Sequence, residues 1–333
     1  MTNDTKDLVE QVRGGTSQRV RAAARLMSLI ENYPERIPEF LVGAADWPEA
    51  RMVIGLTGPP GCGKSVLADR LITALRTRSP DSCIGVIAVD PSSPFTGGAF
   101  LGDRLRMMRH AGDPNVFIRS AATRGHIGGL VLGVKAFIRV LGLAGCRTVL
   151  IETVGVGQNE TEIVNVADFV VVAIAPGNGD AIQLLKCGLM EVGDIFVVNK
   201  ADCDGAAQLY AQLLAVLRLN ANGQKTGMPE TCLVSALQRR GIEELVDLFE
   251  KRAAGSEQVW QARRRQTMVD EVKAAVLEEA RQRLSRVLGT GPIATQDLSR
   301  ILRGEVTVTG FVDELIQKMT GSREDKKNYG QAG

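Results

Sequence analysis

The sequence predicts a mostly parallel, doubly wound α/β domain with helical extensions at both ends, and three observations carry that prediction. The apolar run Met52-Val53-Ile54-Gly55-Leu56 leads into Gly58-Pro59-Pro60-Gly61-Cys62-Gly63-Lys64-Ser65, and Val66, Leu67, Leu71, Ile72 and Leu75 then recur at helical spacing. Further continuous apolar runs, 83–89 and 169–174 among them, suit strands buried on both faces. Apolar residues at steps of three and four fill much of the chain before residue 46 and after residue 241. The expected division is a helical N-terminal extension (1–45), a phosphate-loop domain (46–255) and a helical C-terminal arm (256–333).

The prefix carries Leu8, Val12, Val20, Ala24, Leu26, Met27 and Ile30 in a broken helical pattern, which Glu35 to Val42 repeats after Pro34. Its helices either pack on the core with solvated arginines or offer a docking face. Asp46-Trp47-Pro48 punctuates the approach to the first strand.

The loop Gly58 to Ser65 fits G-x-x-x-x-G-K-[ST] between a strand and a helix. Gly58, Gly61 and Gly63 reach backbone conformations closed to other residues, so several N–H groups converge on one anion beside a helix N-terminus. Lys64 would reach the β- and γ-phosphates, and the Ser65 hydroxyl would ligate Mg²⁺.

Cys83 to Val89 reads as a buried strand ending on Asp90, followed by a Gly-, Ser- and Pro-rich stretch from Pro91 to Arg106 with Asp103 inside it. Asn115 to Ser120 is a short strand, and Thr123 to Gly129 a second glycine-rich loop. Arg147 to Glu152 closes another strand on an acidic residue, with Gly155 three residues later. In that context Glu152 holds the magnesium and the Gly155 N–H reaches the γ-phosphate. The more familiar residue is Asp, so the longer Glu152 arm must reach the metal directly or through water.

Phe169 to Ile174 is followed by the glycine-containing loop Ala175 to Asp180 and an amphipathic segment with Gln183 and Lys186. Asp194 to Val198 then ends in Asn199-Lys200-Ala201-Asp202. At a strand end, Asp202 can accept from the guanine N1–H and exocyclic amine, Asn199 supports the loop and pairs the base edge, and Lys200 lies along the ring. Adenine lacks those donors, and sites of this kind discriminate by roughly 10⁴ to 10⁵. Ser235-Ala236-Leu237 supplies the small loop over the guanine O6. Together these residues imply GTP or GDP as ligand.

The C-terminal stretch carries Val269, Val272, Val276, Ala280, Leu284 and Val287 at steps of three and four, a helix that either packs back or pairs with another copy. A net charge of +2 gives no general electrostatic case for nucleic acid or an anionic membrane. No apolar run approaches the roughly 18 residues of a membrane helix. The six scattered cysteines read as reduced thiols of a cytoplasmic protein.

Gly58 to Ser65, Val89-Asp90-Pro91-Ser92, Asp103 with Arg104, Glu152 to Gln158, Asn199 to Asp202 and the helical arm together resemble the MeaB family of GTPases, relatives of the methylmalonic aciduria type A protein. The resemblance implies a homodimer that binds methylmalonyl-CoA mutase and couples GTP hydrolysis to adenosylcobalamin delivery and protection of that enzyme. It places magnesium near Ser65, Asp90, Asp103 and Glu152. It also makes the Gly177 to Cys187 loop, with Asp180, Gln183 and Lys186, a nucleotide-responsive switch that touches the partner.

One departure from Ras-like proteins bears on mechanism: Val156 stands where a glutamine would orient the attacking water, and Gln158 lies two residues on. Slow intrinsic hydrolysis is therefore expected, accelerated when the partner reshapes the switches and brings Lys186 or another charge to the γ-phosphate. Two other readings stay open. A nickel-type metal-insertion GTPase would usually carry a ligand-rich set, whereas this chain has only His110 and His126 with scattered cysteines. A phosphotransferase linked to amino-acid transport would have no need of Asp202 as a guanine reader.

Overall fold

The computed structural model describes residues 3–14, 18–33, 36–41, 44–90, 108–110, 112–122, 129–153, 163–177, 189–221, 228–255 and 260–266, with scattered positions from 269 to 314. Seven strands form one sheet among the described residues: β1 (Met52–Thr57), β2 (Cys83–Asp90), β3 (Val116–Ala122), β4 (Cys146–Thr153), β5 (Phe169–Ile174), β6 (Ile195–Val198) and β7 (Glu230–Leu233). Their order is β3-β2-β4-β1-β5-β6-β7, and every pairing is parallel. From β1 the chain places β2 and then β3 outward on one side, returns to insert β4 between β2 and β1, and crosses to the other side with β5. The strand ends around β1 therefore form a topological switch point, where ligands of such sheets bind.

The helices are α1 (Asn3–Arg13), α2 (Arg19–Asn32), α3 (Ile37–Phe40), α4 (Lys64–Arg78), α5 (Gly129–Leu143), α6 (Leu189–Val192), α7 (Ala206–Ala221) and α8 (Ile242–Gly255). Strand alternation sends side chains into two cores. Val53, Val149, Ile151, Val170, Val172 and Phe196 meet α1, α2, α5 and α7 on one face. Ile54, Leu56, Leu150, Phe169, Val171 and Val197 meet α4 and α8 on the other. Burial on both faces explains why β5 and β6 are apolar throughout and β1 is apolar as far as Leu56.

The helical prefix belongs to the first core. Ala22, Ala23, Leu26, Met27 and Ile30 of α2 are buried there, Arg19 lies over the Phe117 ring at 5.6 Å, and Arg119 pairs with Glu31. Two aspartates then fix strand register. The Val53 N–H donates to Asp168 Oδ2 at 2.8 Å while the Asp168 N–H donates to the Val53 carbonyl. Asp194 repeats the clamp one strand further out, accepting from the Val170 N–H at 2.8 Å and donating its own N–H to the Val170 carbonyl.

Contacts divide the chain into a unit of Met1–Gln261 and one of Ala262–Gly333. In the second, Arg300 pairs with Glu314 at 3.3 Å and Phe311 is buried. Most of the predicted helix from 261 to 288 lies outside the described residues; of its apolar positions, Val269, Val272 and Val276 are helical and exposed.

Phe249 of α8 is fully buried, with its ring 5.3 Å from that of Phe169 on β5. Phe249→Ala removes a large side chain from a packed layer and should lower the unfolding free energy by about 3–5 kcal/mol, measured by urea denaturation.

Candidate nucleotide site

The C-terminal end of β1 runs into Gly58 and the phosphate loop because two loop positions are open only to glycine. Gly58 has φ +139°, and a Cβ there would meet the Ala173 carbonyl oxygen at 2.0 Å. Gly63 has φ +92° at the N-cap of α4, and its Cβ would meet Asn199 Nδ2 at 2.6 Å. The loop backbone is thus drawn close against β5 and the loop after β6.

Lys64 is largely buried; its ammonium donates to the carbonyls of Gly58 at 2.5 Å and Pro59 at 3.1 Å, spanning the loop. The buried Ser65 hydroxyl donates to Glu152 Oε1 at 2.7 Å. Register puts Glu152 opposite Leu56 on the neighbouring strand, and one residue further on the hydroxyls of Thr57 and Thr153 lie 3.0 Å apart. The two strand ends that bear the loop and the carboxylate are therefore tied together. Among the described residues no three of His, Cys, Asp and Glu converge as a metal cluster. A hydroxyl and a carboxylate, both hard oxygen donors, suit Mg²⁺, which binds through one or two such groups plus substrate phosphates. Burial pushes the Cys62 thiol up, so it stays protonated beside Lys64.

Asn199, at the end of β6, is buried. Its Nδ2 donates to the Cys62 carbonyl at 2.9 Å, and its Oδ1 accepts from the Ala236 N–H at 3.1 Å. One amide thus joins the phosphate loop to the Ser235-Ala236-Leu237 loop. Both of its polar ends engage protein backbone, where sequence reasoning also placed it against the base edge. Lys200 has φ +58° and turns the chain outward. Asp202 is exposed and its carboxylate accepts from the Ser235 hydroxyl; that bond is the main cause holding its carboxyl below the usual carboxylate range. Ser235 is buried and its oxygen accepts from the Gln238 N–H, so the hydroxyl proton is aimed at Asp202. Leu237 is exposed.

Five parts of the predicted site thus meet at one sheet edge: the phosphate loop, Ser65, Glu152, Asn199 to Asp202, and Ser235 to Leu237. Asp103, Gly155, Asp180, Gln183 and Lys186 lie outside the described residues, as does the side chain of Asp90, whose backbone ends β2.

Sequence reasoning missed a charged network on α4. Asp69 is buried, and its Oδ1 pairs with Arg109 and lies 2.9 Å from His110 Nε2. Arg109 also donates to the Asp69 carbonyl and the Thr73 hydroxyl. Next along, Arg70 sits 3.7 Å from Asp69 Oδ2 and donates through Nε to the Ala236 carbonyl at 2.9 Å. The signal was a carboxylate set among the apolar Leu67, Ala68, Leu71 and Ile72 of α4.

A family model described as the methylmalonyl-CoA mutase-associated GTPase MeaB matches residues 23–287. The chain belongs to the MeaB family. Membership makes it a GTPase. A Pyrococcus abyssi protein with a provisional GTPase name is 40% identical over 98% of this chain and 94% of its own. A mouse protein named methylmalonic aciduria type A homolog, mitochondrial, is 35% identical over 58% of this chain and 47% of its own. A crystal structure named LAO/AO transport system kinase, 23% identical, superposes with a TM-score of 0.67 over 96% of this chain and 99% of that one; that likeness shows the fold. No helix among the described residues is long and apolar enough to cross a membrane.

In this MeaB-family chain Arg70 braces the 235–237 loop through the Ala236 carbonyl. Arg70→Ala should weaken GDP binding about three- to tenfold, the worth of roughly one hydrogen bond, and leave turnover at saturating GTP unchanged. Equilibrium titration with a fluorescent GDP analogue, paired with steady-state kinetics, checks both halves.

Proposed function

We propose that this chain hydrolyses GTP slowly by itself and faster in complex with methylmalonyl-CoA mutase, coupling the nucleotide cycle to adenosylcobalamin delivery and to protection of that enzyme. The observation that carries the nucleotide half is the Asn199 brace between Cys62 and Ala236, with Asp202 held ionised by Ser235. The mutase half rests on family membership.

The residues divide the work by chemistry. The phosphate-loop amides and Lys64 hold the β- and γ-phosphates, the ammonium exchanging its Gly58 and Pro59 carbonyls for phosphate oxygens. Ser65 and Glu152 would hold Mg²⁺, with Asp90 and Asp103 beside them, and the bound ion would neutralise charge on the phosphates. Asp202 accepts the two guanine donors, and Ala236 and Leu237 close over O6. Val156 cannot orient water, so the site gains its missing group when the partner engages Asp180, Gln183 and Lys186 in the 177–187 loop. The protein acts in the cytoplasm as a homodimer joined through the C-terminal arm. Support for the arm comes from Val269, Val272 and Val276, which follow one helical stripe and are exposed in the single chain.

GTP turnover by the purified chain should rise several-fold on adding the adenosylcobalamin-dependent mutase, and ATP should not be consumed. Unchanged turnover with no complex formed would remove the mutase from the proposal. Asp202→Asn should cost GDP binding at least about tenfold, since a charge-assisted pair of hydrogen bonds becomes a neutral and partly mismatched one. The same variant should gain affinity for a xanthine nucleotide, whose 2-oxo group accepts from the new amide.

A further inference from the structure

At the sheet edge opposite the nucleotide loops, the first rung between β2 and β4 is a pair of cysteines. Cys83 pairs with Cys146, and the register then slips, so that Ile84 faces Thr148 and Arg147 is an extra residue on β4. A bulge of this kind re-aims a side chain, and here the two Sγ atoms lie 2.8 Å apart. A disulfide needs about 2.05 Å between sulfurs and roughly 4.4–6.8 Å between Cα atoms, and neighbouring strands run about 4.8 Å apart. Less than about 1 Å of sulfur movement separates contact from bond. Neither thiol has a part in the nucleotide site.

From this geometry we infer that Cys83 and Cys146 form a redox modification site whose co-reactant is a hydroperoxide. The two thiols are chemically unequal. The hydrogen bond from Cys146, helped by the charges of Arg19 and Arg76, draws the Cys83 thiol down, while burial first and then Cys83 itself push Cys146 up. Both cysteines are buried in the folded chain, but Cys83 opens its strand directly after half-exposed Ser82 and exposed Asp81, so local fraying of that strand end is what brings its sulfur to a small oxidant. Its thiolate attacks one peroxide oxygen, the O–O bond breaks, and a sulfenic acid forms as water or an alcohol leaves. The Cys146 thiol then attacks the sulfenic sulfur; the S–S bond forms, the S–O bond breaks, and the thiol proton departs with the second water. The two sulfurs supply the two electrons that reduce the peroxide.

The bond closes the chain 84–145 into a covalent loop, a segment that includes Asp90, Asp103 and α5. Cross-linking restricts the unfolded chain, so the oxidised form should melt at a higher temperature than the reduced one.

The test uses the full chain. It is treated with excess hydrogen peroxide under native conditions, alkylated in denaturant, digested without reduction and analysed by mass spectrometry. The expected product is the peptide pair joined at Cys83 and Cys146, reversed by dithiothreitol, with the raised melting midpoint lost on reduction. Recovery of both cysteines alkylated, either one as a separate sulfinic acid, or cross-links to other cysteines overturns the inference. An unchanged midpoint in the cross-linked chain overturns the stapling role. Cys83→Ala and Cys146→Ala should each abolish the linked peptide and leave the remaining thiol to over-oxidise, and the result on the unsubstituted chain stands if either variant fails to fold.

Discussion

A buried amide, that of Asn199, is the interaction on which the nucleotide site depends. Its nitrogen holds the carbonyl of Cys62 inside the phosphate loop, and its oxygen holds the N–H of Ala236 in the loop beyond β7. These loops are far apart in the chain and emerge from different strands of the sheet. Without the amide, a buried carbonyl and a buried N–H would each lose a partner, at about 1–3 kcal/mol apiece. The phosphate loop and the loop proposed to read the base are thereby set at a fixed distance, which a nucleotide of fixed length requires.

The parallel sheet supplies the frame for that brace. Parallel strands bring all their carboxyl ends to one edge, so motifs far apart in sequence converge there without further instruction. The opposite edge has a different duty. Asp168 and Asp194, each just ahead of a strand, clamp β5 to β1 and β6 to β5 by pairing side chain and backbone with one neighbouring residue. Register fixed at that edge propagates to the other, because a slip by one residue would reverse every side chain along the strand. On the other side of β1, the parallel ladder to β4 keeps Glu152 opposite Leu56, within reach of Ser65.

Much of this was legible because parallel strands buried on both faces leave unbroken apolar runs, and because the phosphate loop and the N-K-x-D segment are local patterns. Phe169 to Ile174 was read to the residue. What sequence did not reveal were side chains whose partners lie elsewhere in the chain. Asp69 carries no local mark of Arg109 and His110, some forty residues away in the sequence. Asn199 was recognised as part of a motif, yet its amide was directed in part at the base, since no spacing rule says that both ends are taken up by backbone. The edge strand β7 is short and half exposed, so its apolar signal is weak.

The close approach of Gly63 to Asn199 has a consequence for how this protein can vary over time. A single methyl group on residue 63 would overlap the amide nitrogen of residue 199, and an amide displaced by that methyl would release both loops. A lineage that keeps Asn199 must therefore keep a glycine at residue 63, although 135 residues lie between them. One heritable position is policed by another far along the gene.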